Sequence, residues 1–138
     1  MSVPGRSLRP VDTTENTRQA VGRYITSTEE RDWSALGDLL AEEVVYEMPQ
    51  TGERIRGKPA FLRFNAEYPG DWHLRARRIV ADGRYAAAWL DARVGAEPME
   101  ACVWFDLSDE GLITRVVDYW PERYEPPAGR EHLAERQP

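Results

Sequence analysis

A series of turn sequences divides the second half of the chain into segments of strand length, and this most constrains the fold. Asp82-Gly83 is a strong two-residue hairpin sequence. Gly95-Ala96-Glu97-Pro98 and Ser108-Asp109-Glu110-Gly111 are rich in residues that favour turns. The segments bounded by these turns therefore predict an antiparallel meander of four strands, over residues 72–81, 84–94, 99–107 and 112–120.

The first half of the chain has helical periodicity instead. Ala20, Val21, Tyr24 and Ile25 recur at the spacing of one helix face, after a capping-box sequence at residues 12–15. This pattern predicts a first helix over about residues 13–28.

Two shorter helices are predicted next. Asp32 is suited to cap a helix whose inner face would carry Trp33, Leu36, Leu39 and Leu40. Pro59 suits the start of another that ends near residues 68–71. Between these helices, residues 44–48 are β-rich and predict a strand, and residues 54–56 are a candidate short strand.

Helices followed by a meander predict an α+β fold, with three helices packed on one face of a curved antiparallel sheet. The length of 138 residues corresponds to one domain. We expect a flexible arm over residues 1–11, the folded domain over residues 12–121, and a surface tail over residues 122–138, which contains Pro126-Pro127 and many charges.

Composition excludes several classes of function. A net charge of −6 excludes a uniformly basic nucleic-acid surface and opposes binding to an anionic membrane. Cys102 is the only cysteine, so there is no intrachain disulfide; this favours the cytoplasm, although a disulfide-free secreted protein would look the same. With only two, widely separated histidines and no glycine-rich phosphate loop, the sequence predicts neither a metal site nor a cofactor.

Several short motifs occur in a characteristic order: Val21-Gly22-Arg23-Tyr24-Ile25, Arg31-Asp32-Trp33-Ser34-Ala35-Leu36, Leu40-Ala41-Glu42-Glu43-Val44-Val45-Tyr46, Gly111-Leu112-Ile113 and Asp118-Tyr119-Trp120. Over about residues 12–120 they resemble the nuclear-transport-factor-2-like fold, also called the SnoaL-like or ketosteroid-isomerase-like fold. The resemblance implies a cone with an apolar pocket and a homodimer formed through the outer sheet face. Because this fold serves isomerases, epoxide hydrolases, polyketide cyclases, dehydratases and binding proteins, function must be argued from the site.

Asp118 is the leading candidate for a catalytic residue. Side chains alternate along a strand, which places Asp118 in a row with Val116 and Trp120. Burial there would raise the pKa of the carboxyl and make it a usable general base. In similar epoxide hydrolases an acid at this position orders the attacking water. The alternative is a strand-end acid that faces solvent or pairs with an arginine.

Glu47, Tyr24 and His73 are further candidates. Glu47 would share a proton with Asp118, or be an exposed acid on an edge strand. Tyr24 follows Arg23, as in ketosteroid isomerases, where the tyrosine donates to the developing oxyanion; otherwise it is a core aromatic. His73 is a candidate proton shuttle or a structural histidine.

This chain lacks some of the polar residues that both enzyme types carry. The isomerase acids correspond to Met48 and about Val103, which cannot take a proton, so we do not expect classic steroid isomerisation. The arginine and aspartate of the hydrolases correspond to Leu90 and Ala92. Asp91 and Arg93 lie one residue away, which in a strand means the opposite face. Either a bulge brings them into the pocket or they form a surface pair, and we expect the surface pair.

Aromatic and apolar residues are numerous enough to line a pocket for a small apolar or aromatic ligand. The candidates are Trp33, Tyr46, Met48, Asn65, Trp72, Val103 and Trp120. Arg54, Arg56, Arg75, Arg77 and Arg78 would either line its mouth, with Arg75 or Arg77 close enough to pair with Glu47 or Asp118, or form a solvated face.

The sequence therefore predicts a cofactor-independent acid/base enzyme of the cyclase, isomerase, dehydratase or hydrolase type. The alternative is a ligand-binding or accessory dimeric protein of the same fold without catalysis.

Overall fold

The computed structural model of the protein describes residues 10–138. Its elements in chain order are α1 (Pro10–Glu29), α2 (Trp33–Asp38), β1 (Leu40–Met48), β2 (Glu53–Arg56), α3 (Lys58–Glu67), β3 (Trp72–Asp82), β4 (Tyr85–Val94), β5 (Glu97–Leu107) and β6 (Ile113–Tyr119). The tail over residues 120–138 contains neither helix nor strand. No helix in the described part of the chain is long and apolar enough to cross a membrane.

The six strands form one sheet in the order β2-β1-β6-β5-β4-β3. The predicted meander is confirmed, since β3 to β6 pair antiparallel in sequence. The prediction of a wholly antiparallel sheet is wrong, because β1 runs parallel to β6, with Tyr46 opposite Val116. A parallel pair needs a long connection, here most of the domain, so no local sequence pattern reports it.

Helix α1 begins earlier than predicted. It starts at Pro10, whose fixed φ and missing N–H are tolerated in the first turn of a helix. Residues 10–11 therefore belong to the helix rather than to an arm, and the predicted capping box at residues 12–15 lies inside it. The rest of the predicted arm, residues 1–9, lies outside the described residues.

The junction between α2 and β1 also differs from the prediction. Asp32 caps α2 as expected, accepting a hydrogen bond from the backbone N of Ala35 at 3.1 Å. The helix ends at Asp38, however, and Leu40 opens β1 opposite Ile113 instead of lying on the helix face. A short apolar run fits a helix and a buried strand equally well, and here the strand pairing decides between them.

The core lies between the helices and the inner face of the sheet. Phe61 of α3 and Phe105 of β5 are almost fully buried, and Tyr24 of α1 meets Phe105 edge-on at 5.0 Å. The inner face of β4 carries mainly small side chains, such as Ala88 and Ala92. Ala92 lies where this face borders open space at one end of the core, and its short side chain fills little of that space.

Candidate active site

A cavity of about 400 Å³ opens at that end of the core. Its wall is mainly apolar and aromatic and is built from α1, α3, the neighbouring loops and all six strands. The predicted site residues on its wall are Tyr24, Tyr46, Met48, Asn65, Trp72, His73, Val103, Asp118 and Trp120. The predicted residues that do not line it are Glu47 and Trp33.

Asp118 is the buried acid of this cavity. Its strand face is the predicted one, since Val116 is fully buried and Asp118 is 7% exposed. The Tyr46 hydroxyl donates to Oδ2 of Asp118, while Oδ1 is buried and has no hydrogen-bond partner among the described residues. Burial raises the pKa of Asp118, and the hydrogen bond from Tyr46 opposes this rise.

Tyr24 and Tyr46 face the cavity from α1 and β1. Burial, reinforced by the nearby charge of Asp118, raises the pKa of both hydroxyls well above the usual range. Both side chains therefore stay neutral and act as hydrogen-bond donors at physiological pH. Tyr46 already donates to Asp118, whereas Tyr24 is positioned at the wall of the same cavity.

Glu47 lies on the opposite face of the sheet from Tyr46. Arg115 of β6 donates to its carboxylate at 2.9 Å, and this hydrogen bond, which outweighs the desolvation, lowers the pKa of Glu47. The predicted proton-sharing pair of Glu47 with Asp118 is therefore absent. The reason is strand alternation: Tyr46 and Met48 point to the cavity, so the residue between them cannot.

His73 lies at the rim between two carboxylates. Its Nδ1 is 3.0 Å from Glu29 Oε2, and its Nε2 is 2.8 Å from Asp71 Oδ1. Glu29 also accepts from the backbone N of Leu74 and from Arg31. Burial would raise the pKa of Glu29, but these hydrogen bonds lower it overall. Since both ring nitrogens are occupied, His73 joins the end of α1 to the start of β3 and is poorly placed to shuttle protons.

Trp72 forms an aromatic wall that Trp33 supports from behind. The two indoles are 6.5 Å apart, so Trp33 shapes the wall without lining the cavity. The Arg31 guanidinium lies 3.5 Å from the centre of the Trp72 ring on another side, and its hydrogen bond to the Trp72 carbonyl fixes the backbone. Asn65 lines the cavity, but its side chain donates to the carbonyl of Phe61 at 2.9 Å.

Apolar residues occupy the positions where the resemblance places enzyme polar groups. Met48, Leu90, Ala92 and Val103 all line the cavity. The expected surface pair of Asp91 with Arg93 is not formed.

Asp91 and Arg93, which flank Ala92, each bond to other groups. Asp91 bonds to Arg75 at 2.9 Å and lies 3.5 Å from Arg77, so neither arginine reaches Glu47 or Asp118. Arg93 donates to the carbonyl of Gly95 and is also part of the cavity rim. Within residues 10–138 no three His, Cys, Asp or Glu side chains are grouped so that they could hold a metal ion.

Tyr68 and Gln50 are among the wall residues that the sequence analysis missed. Tyr68 stacks edge-on against Phe64 at 5.4 Å, and the four-residue spacing between them is a pattern that could have revealed it. Gln50 exchanges two hydrogen bonds with the backbone of Trp120, which fixes the end of β6 against the β1–β2 turn. Nothing in the sequence around Gln50 indicates this contact.

Comparisons with known proteins agree with this architecture. The family model of the SnoaL-like domain matches residues 21–116. The chain belongs to the SnoaL-like family. None of the curated proteins compared with the chain matches it.

Solved structures extend this result. A protein of Kribbella flavida DSM 17836, provisionally named a ketosteroid isomerase, is 50% identical, with 91% of this chain and 92% of that one covered and a TM-score of 0.87. A provisionally named polyketide cyclase of Xanthomonas campestris pv. campestris is 25% identical over 79% of this chain and 93% of that one, with a TM-score of 0.65. An LEH-like epoxide hydrolase of M. tuberculosis is 23% identical over 78% and 84%, with a TM-score of 0.67, and supports the fold alone.

Proposed function

We propose that this SnoaL-like protein is a cofactor-independent enzyme that moves a proton on a small, largely apolar molecule, with Asp118 as the general base. The observation that carries the proposal is a buried carboxyl on the cavity wall, one oxygen of which has no partner. A carboxyl in such surroundings holds a proton more tightly than in water, which suits it to accept one from a substrate.

The proton transfer uses the two tyrosines differently. Tyr46 holds Oδ2 of Asp118 and so fixes the orientation of the carboxylate that accepts the proton. As the substrate C–H bond breaks, its electrons form a carbon–carbon double bond and charge develops on the neighbouring oxygen. The neutral Tyr24 hydroxyl is the donor proposed for that oxygen. Asp118 then returns the proton to another carbon, which completes an isomerisation.

Proton transfer with Asp118 as the base fits this site better than epoxide hydrolysis, even though Met48 and Val103 stand where the ketosteroid isomerases carry their acids. The names of the Kribbella and Xanthomonas proteins support proton-transfer chemistry in relatives at 50% and 25% identity. Leu90 and Ala92 place no acid or arginine where the resemblance to the hydrolases would need them to activate water and the epoxide.

The test is isomerisation of a small β,γ-unsaturated cyclic ketone, followed by ultraviolet absorption and by deuterium uptake in heavy water. We expect Asp118→Asn to keep the fold and ligand binding while turnover falls by at least about tenfold. Glu47→Gln is the matched control, because it removes a carboxylate from the other face of the sheet and should leave turnover unchanged. Equal turnover in wild type and Asp118→Asn would refute the assignment of the base.

The second candidate is a binding protein without catalysis. The specific observation in its favour is the apolar character of Met48, Leu90, Ala92 and Val103 on the cavity wall. Ligand binding by the wild type, with no turnover of ketone probes of several ring sizes and no deuterium uptake, would favour this function.

We also propose that two copies pair through the outer face of the sheet. Trp89, Trp104 and Tyr119 are 42%, 53% and 40% exposed on this face. By register Trp104 lies beside Val117, and Trp89 and Tyr119 flank Cys102, so the side chains form one continuous surface. Sedimentation of the wild type should give a dimer and Trp104→Arg a monomer. A monomeric wild type at micromolar concentration would refute the pairing.

A further inference from the structure

We propose that the cavity selects molecules that carry a positively charged nitrogen on the carbon next to the reacting one, such as a protonated imine. This inference rests on the proposed proton-transfer function and names the substrate class for it. The structure supports it in three ways, through the charges around Asp118, the rings on the cavity wall and the charge balance of the reaction.

Asp118 has no positively charged partner of its own. No ion pair involves it in the described part of the chain, and the hydrogen bond that its side chain receives comes from the uncharged Tyr46 hydroxyl. The basic side chains at the cavity have other partners: His73 lies between Glu29 and Asp71, and Arg93 bonds to the Gly95 carbonyl. A buried carboxylate without a counter-ion is costly, and a cationic ligand would supply the missing charge.

The rings around Asp118 suit a cation as well as an apolar group. Tyr46 and Phe64 are 5.7 Å apart, Phe64 and Tyr68 are 5.4 Å apart, and Trp72 completes the wall. Ring faces attract nitrogen cations, and more strongly where water is excluded. The cavity therefore offers both parts of a cation site, which are π surfaces and one buried carboxylate.

The charge balance of the reaction points the same way. With a ketone, the negative charge leaves Asp118 and appears on an enolate oxygen, for which Tyr24 is the proposed donor, because Met48 and Val103 are apolar. With a protonated imine, the C–H bond breaks and its electrons form the C=C bond of an enamine. The C=N π electrons move to nitrogen, and the proton goes to the Asp118 carboxylate. Two opposite charges thus become two neutral groups, which a poorly solvated cavity favours.

The experiment compares phenyltrimethylammonium with its neutral isostere tert-butylbenzene, using the full-length chain and NMR titration. We expect the wild type to bind the cation about tenfold more tightly than the isostere. Asp118→Asn should reduce this preference to about twofold or less without weakening binding of the isostere. The Tyr68 side chain is half-exposed in the wild type. Tyr68→Leu should weaken cation binding by about threefold and leave isostere binding nearly unchanged. Glu47→Gln is the control and should behave as the wild type.

Equal affinity of the wild type for the two probes, or a preference that survives in Asp118→Asn, would overturn this inference. Folding of each variant is checked by its thermal melting curve, and Tyr68→Leu provides the test if Asp118→Asn does not fold. Because binding is measured without turnover, the two proposals can fail separately. A cation preference with unchanged ketone isomerisation in Asp118→Asn would refute the base and keep the ligand class. Lower ketone turnover in Asp118→Asn, with no cation preference in the wild type, would keep the base and refute the ligand class.

Discussion

Replacing Asp118 by Asn should stabilise the folded protein at neutral pH, although the residue is buried. The folded structure raises the pKa of this carboxyl above its ordinary value of 3.8, mainly through burial. Between the unfolded and the folded pKa the native state binds more protons than the unfolded state. Stability therefore falls as the pH rises through this window and stays reduced above it. Asn has nearly the same shape but no charge, so it avoids this loss.

The magnitude follows from the partners of the two oxygens. Tyr46 can donate to the Asn carbonyl as it does to Oδ2, so that hydrogen bond is kept. Oδ1 has no partner, and the amide that replaces it would be unpartnered too. An unpartnered neutral group costs about 1–3 kcal/mol and a charged one more, so the expected net gain is on the order of 1 kcal/mol. At this chain length that corresponds to a rise in Tm of roughly 3–5 °C.

The assay is thermal or urea unfolding of both proteins from pH 3 to pH 8. The difference in the free energy of unfolding should be largest at neutral pH and vanish near pH 3, where the carboxyl is protonated in both states. Tyr46→Phe is the control, since it removes the donor to Oδ2 and should destabilise the protein at neutral pH by about 1.5–3 kcal/mol. An Asp118→Asn variant that is less stable than the wild type at pH 7 would refute the reasoning.

Two other substitutions test the core and the rim. Phe61→Ala should lower the free energy of unfolding by about 3–5 kcal/mol in urea unfolding, because this fully buried ring packs against Tyr24 and Tyr46; a loss below about 1 kcal/mol would contradict the packing. Glu29→Gln should cost about 1 kcal/mol at pH 7, since the carboxylate holds His73 and Arg31. Because the pKa of Glu29 is lowered from 4.5, this cost should disappear as the pH falls below 4.5, and an equal cost at pH 3 would rule out the ionic contribution.

The sequence predicted the meander and Asp118 for the same physical reason. Asp82-Gly83 sets a tight turn, and strand alternation beyond it decides which side chains face inward. In β6 this rule placed Asp118 beside the apolar Val116, and the structure has that arrangement. Predictions that depend on local backbone chemistry and a period of two therefore agree with the structure.

Predictions that depend on long-range pairing did not all agree with it. The parallel pairing of β1 with β6 joins residues about seventy positions apart, and neither strand carries a mark of its partner. Glu47, Tyr46 and Met48 were all predicted to face the pocket, which alternation within one strand forbids. Arg115, which bonds to Glu47 from β6, could be identified only once the register of this pair was known.

Asp118 breaks the rule that buried polar atoms have hydrogen-bond partners, and this exception bears on its function. Elsewhere in the described residues the buried polar side-chain atoms have hydrogen-bond partners, and Oδ1 of Asp118 is the exception. Selection for stability alone would favour an apolar residue or a paired acid here, since either removes the cost. If Asp118→Asn proves more stable but inactive, function explains why the carboxylate is kept. If it is more stable and equally active, the acid confers no catalytic benefit. The carboxylate is then better explained by a role in ligand binding, or by no function at all.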